Sequence, residues 1–267
     1  MEKKDIKVTQ RIYELKNKIY TNRLEDVFKS TICFFENNDK KIVSAAGSGL
    51  FLKYKNEYYV ITAAHVIAEY YNDTFVILSD KELVLGGRLV SSEIPNTGKR
   101  EDDKIDISIL KLCEKSTKEM LKNFTPIEDT EIELAHNQDK YNTYFSVGFP
   151  QTRTGPVWGE KRIRSIGFTY QSEIDFDFSF EKYGFKKSTT IPIKFDGEII
   201  NAKNPHPHLA PKLKGISGSG LWHFFDKDKK SLIGILIERI NDIDNKVIVA
   251  TKIDIVIKMI EEMNKSY

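Results

Sequence analysis

The sequence predicts an all-β barrel or sandwich rather than an alternating βα sheet. Three observations carry this. Short apolar runs recur between residues 30 and 252, most of them separated by turn residues. Helical spacing of apolar side chains is confined to the two ends. Hydrophobic residues make up 40% of the 267, with 16 Phe and 12 Tyr, enough for a sizeable core and against disorder. The length permits one large domain or two small ones.

The elements follow in order. From Thr9 to Val27, Ile12, Leu15, Ile19 and Tyr20 fall at helical spacing among Lys and Arg, which predicts a surface helix. Ser30–Phe35 is the first strand. Gly47–Leu52 and Tyr58–Ala64 flank the polar turn Lys53–Glu57 and predict a hairpin. Further strands are predicted at Phe75–Leu78, Leu83–Val90, Ile105–Leu112, Tyr144–Val147, Arg162–Tyr170, Ile191–Ile200, Leu221–Phe225, Leu232–Ile237 and Lys246–Lys252. Ile255, Ile257, Met259, Ile260 and Met263 among charges predict a closing helix from Ile253 to Asn264. The Pro-rich stretch Asn201–Lys214 predicts a surface loop. No repeat of fixed period is present.

Composition narrows the function classes. Net charge is +2 from 41 basic and 39 acidic side chains, no electrostatic footprint for nucleic acid or anionic lipid. No apolar run reaches the length of a membrane span. Met1–Lys7 is charged and no signal-peptide core follows, so the expected location is cytoplasmic. Cys33 and Cys113 lie in apolar runs without metal-ligand spacing and are expected to be small buried hydrophobes, with a single disulfide left open. Glu101, Asp102 and Asp103 are expected to be exposed loop acids.

Three stretches carry candidate chemistry. Lys214-Gly215-Ile216-Ser217-Gly218-Ser219-Gly220-Leu221-Trp222 sets a hydroxyl in a glycine-rich turn ahead of an apolar run. A serine that attacks a carbonyl needs such a setting, with backbone N–H groups aimed at the oxyanion. A flexible turn reads the same way. His65 ends the apolar run Val60–Ala64, where a histidine capped by a carbonyl is the bland alternative. Asp106 opens Ile105–Leu112 and is costly to bury there unless something, such as a histidine Nδ1–H, donates to it. The chain order is His65, Asp106, Ser217. An α/β-hydrolase would place serine first and show Gly-x-Ser-x-Gly, but Ser219 stands two residues past Ser217. The order is that of the His-Asp-Ser triad.

At these residues the chain resembles the trypsin-like (chymotrypsin-fold) serine peptidases. Gly47-Ser48-Gly49-Leu50-Phe51 is similar to the strand before the histidine hairpin, and Thr62-Ala63-Ala64-His65-Val66 to the histidine motif. Asp106-Ile107-Ser108-Ile109-Leu110 is similar to the aspartate strand, and Gly215-Ile216-Ser217-Gly218 to the serine motif. Val147-Gly148-Phe149-Pro150 resembles a turn common in bacterial, HtrA-like members. The resemblance implies a mostly β fold of two packed six-stranded antiparallel barrels with N- and C-terminal helices. It spans residues 30–265, with a barrel boundary near 115–140 and an extension at 1–29, and no PDZ domain. It implies a serine endopeptidase acting on a protein or peptide, with no metal or cofactor. Ser217 would be the nucleophile, His65 the base and Asp106 its orienter, with the Gly215 and Ser217 amides as oxyanion hole. It puts the specificity pocket at Pro211, without an acid for Lys or Arg, and the substrate-pairing strand at Gly234–Glu238. Ile237 there favours a small or apolar P1 residue, and Glu238 would bias subsites towards basic groups. Ile216 stands where trypsin has an aspartate, so no trypsin-type zymogen switch is expected. Ser219 and Gly220 replace the usual Gly-Pro or Gly-Ala pair.

Two other readings stay open. One is a latent or inactive relative that binds a peptide as an added strand, with a regulatory partner at the N-terminal helix or the Asn201–Lys214 loop. The other is a structural β protein whose three motifs coincide.

Overall fold

The structure, a computed structural model, describes residues 24–265 except 38–42, 69–72, 79–80, 141, 157–162, 196–197, 202–203, 210–211, 227–228 and 242–245. The helix expected over Thr9–Val27 lies largely outside these residues. Its end is seen, as residues 24–30 form α1, so Ser30 caps a helix rather than opening a strand. Ser30 and Thr31 both donate their hydroxyls to Val27 O, at 2.9 and 2.7 Å.

The first sheet contains β1 (Thr31–Asn37), β2 (Val43–Tyr54), β3 (Glu57–Ala63), β4 (Thr74–Leu78), β5 (Lys81–Leu83), β6 (Gly87–Ser91) and β7 (Ile107–Leu112). A single turn of helix, α2 (Ala64–Ile67), follows β3, and α3 (Glu114–Asn123), which the sequence reading missed, follows β7. The strand order is β5-β4-β1-β2-β3-β7-β6. Its two edges, β5 and β6, are consecutive in the chain and joined only by residues 84–86. So short a link forces the sheet to curl until its edges approach. That is why the apolar run Leu83–Val90 is broken rather than one strand. The β2–β3 turn is tighter than expected. Tyr54 pairs with Glu57, and Lys55 and Asn56 both take positive φ, as a two-residue hairpin turn demands.

The second half contains β8 (Tyr144–Gly148), β9 (Thr154–Pro156), β10 (Ile163–Ser165), β11 (Phe168–Ser172), β12 (Thr190–Lys194), β13 (Glu198–Asn201), β14 (Asn204–Leu209), β15 (Gly220–Asp226), β16 (Lys229–Asn241) and β17 (Lys246–Lys252), closed by α4 (Ile253–Lys265). Its main sheet runs β11-β8-β15-β16-β17-β12. The two edges meet here too. Ile174, just after β11, bridges Ile193 of β12, and Ser172 Oγ donates to Lys194 O at 2.6 Å. The predicted pair of curled antiparallel sheets is therefore present, with seven and six strands.

Other predicted runs differ too, and Ile191–Ile200 is divided between β12 and β13. Arg162–Tyr170 is interrupted before β11 because Phe28 of α1 occupies the space beside Gly167, where a Cβ would meet its ring at 1.9 Å. The stretch Asn201–Lys214, expected as a loop, contains β14 paired with β13. Its register with β13 shifts between Ile199 and Asn201, next to the part of β14 that holds Pro205 and Pro207.

One core cluster runs through both sheets, including Leu52, Ile61 and Ile109 from the first and Phe145, Val147 and Ile235 from the second. A second cluster fills the other sheet around Ile191, Leu221, Ile233 and Ile248. From α4, Val256, Ile257 and Ile260 join the shared cluster. Asn264 of α4 donates to Tyr59 OH at 2.8 Å, so this helix ties the halves together.

Both cysteines are free, and they differ. Cys33 is buried as expected, and burial pushes its thiol up to about 12. Cys113 is exposed, contrary to expectation, because it stands at the N-terminal end of α3. There hydrogen bonding from the Ser116 backbone and hydroxyl lowers its thiol. Iodoacetamide at neutral pH is expected to add one group to the folded protein, at Cys113, and a second only after denaturation. Intact mass and peptide mapping read this directly. Modification of Cys33 first would contradict the packing.

Candidate active site

His65 is the second residue of α2, set directly after β3. Ala63 and Ala64 before it are fully buried, small enough for the neighbouring loop to close on the backbone. That loop carries Asp106. Ala64 N–H donates to Asp106 O at 2.9 Å and His65 N–H to Asp106 Oδ1 at 2.9 Å. The imidazole Nδ1 lies 2.5 Å from Asp106 Oδ2. A carboxylate only accepts, so Nδ1 carries the proton and Nε2 presents its lone pair. The Asp106 side chain is 7% exposed and that of His65 43%, so a buried acid holds an accessible base.

Asp106 is not inside the strand, as the alternation suggested. It precedes β7 with φ of 46°, a left-handed conformation that aspartate tolerates better than most residues. This turn swings the carboxylate back towards α2. Two anchors hold it. Thr251 of β17 donates to Ile105 O at 2.7 Å. Asp103 accepts from Ile105 N–H at 2.9 Å, from Arg100 at 2.8 Å and from Ser92 Oγ. Asp103 is thus buried, against expectation, whereas Glu101 and Asp102 are exposed.

Ser217 sits in the turn before β15. The turn is moored to β2 and β3, the strands that lead to His65. Ser48 N–H donates to Ser217 O at 2.8 Å. Gly218 packs so closely that a Cβ would meet Ser48 O at 2.0 Å and Thr62 Oγ1 at 2.3 Å, and its φ is 87°. Glycine is required there. Of the two serines in the motif, Ser219 is fully buried and directed at Gly148, whereas Ser217 is half-buried at the rim. Only Ser217 is placed to attack a substrate. Among the described residues its hydroxyl makes no hydrogen bond, with His65 or otherwise.

The backbone amides of this turn divide into spent and unspent. Ile216 N–H donates to Leu213 O, Gly218 N–H to Leu236 O and Ser219 N–H to Ile216 O, at 3.0, 2.7 and 3.0 Å. Among the described residues Gly215 N–H and Ser217 N–H have no acceptor. Their direction follows from peptide geometry, because C=O and N–H of a trans peptide point opposite ways. Lys214 O is held by Gln151 N–H at 2.7 Å, which turns Gly215 N–H to the other side. Ile216 O is likewise held by Ser219, which turns Ser217 N–H outward. Two free donors beside a hydroxyl make an anion-stabilising pair.

Sequence reasoning missed Ser48 as a site residue. It is fully buried, donates its hydroxyl to Gly215 O at 2.8 Å and accepts from Phe149 N–H at 2.9 Å. It therefore fixes the wall of the donor pair. A serine between two glycines on a strand was the only signal. Ser48→Ala leaves a buried carbonyl and a partly buried N–H unpartnered and is expected to cost about 1–3 kcal/mol of stability. A urea unfolding midpoint equal to that of the wild type would contradict this.

A cleft of about 380 Å³ opens beside Ser217, lined by Leu213, Ile216, Leu236, Ile237 and Ile248, with Lys212, Lys214, Glu238 and Arg239 around them. Ile237 and Glu238 thus border the cleft, while Pro211 lies outside the described residues. Ile237 is the extra residue of a bulge, since Leu236 pairs with Ala250 and Glu238 with Val249. Glu238 does not offer a free negative charge. Lys104 pairs with it at 3.0 Å.

Compared with solved structures, the chain aligns with the scabies mite inactivated protease paralogue S-I1 at a TM-score of 0.56. The alignment covers 91% of this chain and 98% of that one, at 15% identity. The fold is chymotrypsin-like. At such low identity the likeness speaks for the fold alone. No protein-family model and no curated protein matches the sequence. In this chymotrypsin-like domain the candidate groups lie where the two curled sheets adjoin. The first sheet leads into His65 and Asp106, and the second supplies the Ser217 turn and the cleft.

Proposed function

We propose that the protein is a serine endopeptidase that uses Ser217, His65 and Asp106. The observation that carries this is the Asp106–His65 pair, buried acid to accessible base, beside a serine turn with two unspent amides. In the reaction, Ser217 Oγ attacks the scissile carbonyl while His65 Nε2 takes its proton. Asp106 holds the imidazole orientation and stabilises the imidazolium. Gly215 and Ser217 N–H receive the oxyanion, each worth about 3 kcal/mol by mutational precedent in other enzymes. His65 then returns the proton to the leaving amine, and water attacks the acyl-enzyme by the same route in reverse.

The cleft supports an apolar P1 residue, since its inner lining is aliphatic and Glu238 is already paired. The Val147–Pro150 turn supports a kinship with HtrA-like peptidase domains. A second reading, a latent or inactive domain that binds peptides, is favoured by one observation. The Ser217 hydroxyl has no hydrogen bond to His65 among the described residues. Hydrogen bonds of this kind often tighten only when substrate is bound.

Digestion of a peptide library, read by mass spectrometry, tests the proposal. Cleavage after Leu, Ile, Val or Ala that disappears in Ser217→Ala is expected. Dominant cutting after Arg would refute the apolar cleft. No cleavage by well-folded protein would move the account to the latent reading.

A further inference from the structure

A second constellation lies away from the proposed catalytic groups and does not depend on that reading. Glu133, His136 and His223 gather their ligand atoms within 4.8 Å of one another. Glu133 Oε1 is 2.7 Å from His136 Nδ1, and Glu133 Oε2 is 3.3 Å from His223 Nδ1. The two imidazole rings lie 4.6 Å apart, centre to centre. The side chains of His136 and His223 are 5% and 9% exposed, and that of Glu133 33%.

The fold builds this cluster from separate segments. Glu133 and His136 belong to the connector between the two sheets, and His223 to β15. Glu133 N–H donates to Leu232 O at 3.1 Å. Ala135, with φ of 51°, reverses the chain and donates its N–H to Asp254 Oδ1 at 2.8 Å, which brings His136 back beside Glu133. Tyr144 of β8 stands opposite His223 in the sheet, and its hydroxyl is 3.0 Å from His136 Nε2.

We propose that Glu133, His136 and His223 form a binding site for one divalent transition-metal ion, with zinc the best match to two imidazoles and a carboxylate. Such a donor set suits zinc and is poor for calcium or magnesium, which prefer oxygen alone. Tyr144 supplies the outer contact a metal-bound histidine needs. It accepts the Nε2 proton of His136 and leaves the Nδ1 lone pair for the ion. His223 would bind through Nδ1 in the same tautomer, with its proton on Nε2. Without the ion, Glu133 accepts from both rings. With tetrahedral zinc, ligand atoms stand roughly 3.3 Å apart. Glu133 Oε2 is already at that distance from His223 Nδ1, while Oε1 stands 2.7 Å from His136 Nδ1, so binding through one oxygen needs the carboxylate to turn and draw back from His136. The Glu133 side chain is 33% exposed, which leaves the cluster an approach from solvent, and a cleft of about 270 Å³ borders His136. The ion would clamp the connector to β15, the strand that begins just after the Ser217 turn. Its role would be structural.

The test uses the full chain, stripped with a chelator and titrated with Zn²⁺ and separately with Co²⁺. One ion per chain is expected, with a rise in Tm and, for Co²⁺, the visible absorption of tetrahedral nitrogen–oxygen coordination. Mg²⁺ and Ca²⁺ are expected to give no shift. E133Q and H136Q should each weaken binding at least tenfold, and the double variant H206Q/H208Q should bind like the wild type. Absence of the Co²⁺ absorption in folded wild type would overturn the proposal. So would binding that survives H136Q or is lost in H206Q/H208Q. If E133Q or H136Q fails to fold, the wild-type Co²⁺ spectrum and H206Q/H208Q still decide the matter.

Discussion

Ser217→Ala is expected to lower peptide hydrolysis by roughly 10⁴-fold to 10⁶-fold, the range seen when a nucleophile is removed from a triad enzyme. The change should leave the fold intact, because the Ser217 hydroxyl makes no hydrogen bond among the described residues. Its backbone contact to Ser48 is kept. Activity should therefore collapse while Tm stays within the spread of wild-type measurements. His65→Ala should cost about as much, and the double variant little more, since the two act as one unit. Comparing kcat/KM for the two single variants and the double variant checks this. Additive losses would mean that the residues work independently.

Asp106→Asn is expected to lower kcat by about 10⁴-fold with little change in KM. Asp106 Oδ2 accepts from His65 Nδ1 and Oδ1 from His65 N–H. An asparagine keeps one acceptor and replaces the other with a donor. The imidazole then presents the wrong tautomer, with its Nε2 protonated and unable to take the serine proton. The left-handed turn at Asp106 is one that asparagine also adopts readily, so the backbone should not change. A loss of less than tenfold would mean that the His65–Asp106 contact is a structural hydrogen bond only.

The fold class and the positions of the candidate residues were legible in the sequence, the local architecture around them less so. His65, Asp106 and Ser217 stood out because each is a polar group in an apolar or glycine-rich setting that needs a reason. The structure brings the first two into contact and moors the third on neighbouring strands. What the sequence hid depends on contacts far apart in the chain. Ser48 reads as one more strand residue until the Ser217 turn lands on it, Gly215 being 167 positions further along the chain. Asp103 reads as one of three loop acids until Arg100, Ser92 and Ile105 close around it. Alternation placed Asp106 within a strand because periodicity does not report a positive φ. The Leu83–Val90 run gives no sign that the chain must cross there between two sheet edges. The Glu133, His136 and His223 cluster was hidden for the same reason: Glu133 and His136 are only three apart, but His223, which completes the set, is 90 residues from Glu133.

The measurement that bears most directly on the central claim is covalent labelling by a fluorophosphonate. The reagent needs a serine activated by its base and an oxyanion pocket, but no knowledge of the substrate. One label per chain is expected, mapped to Ser217, and none in Ser217→Ala or His65→Ala. Folded wild-type protein that stays unlabelled, or a label that survives Ser217→Ala, would contradict it.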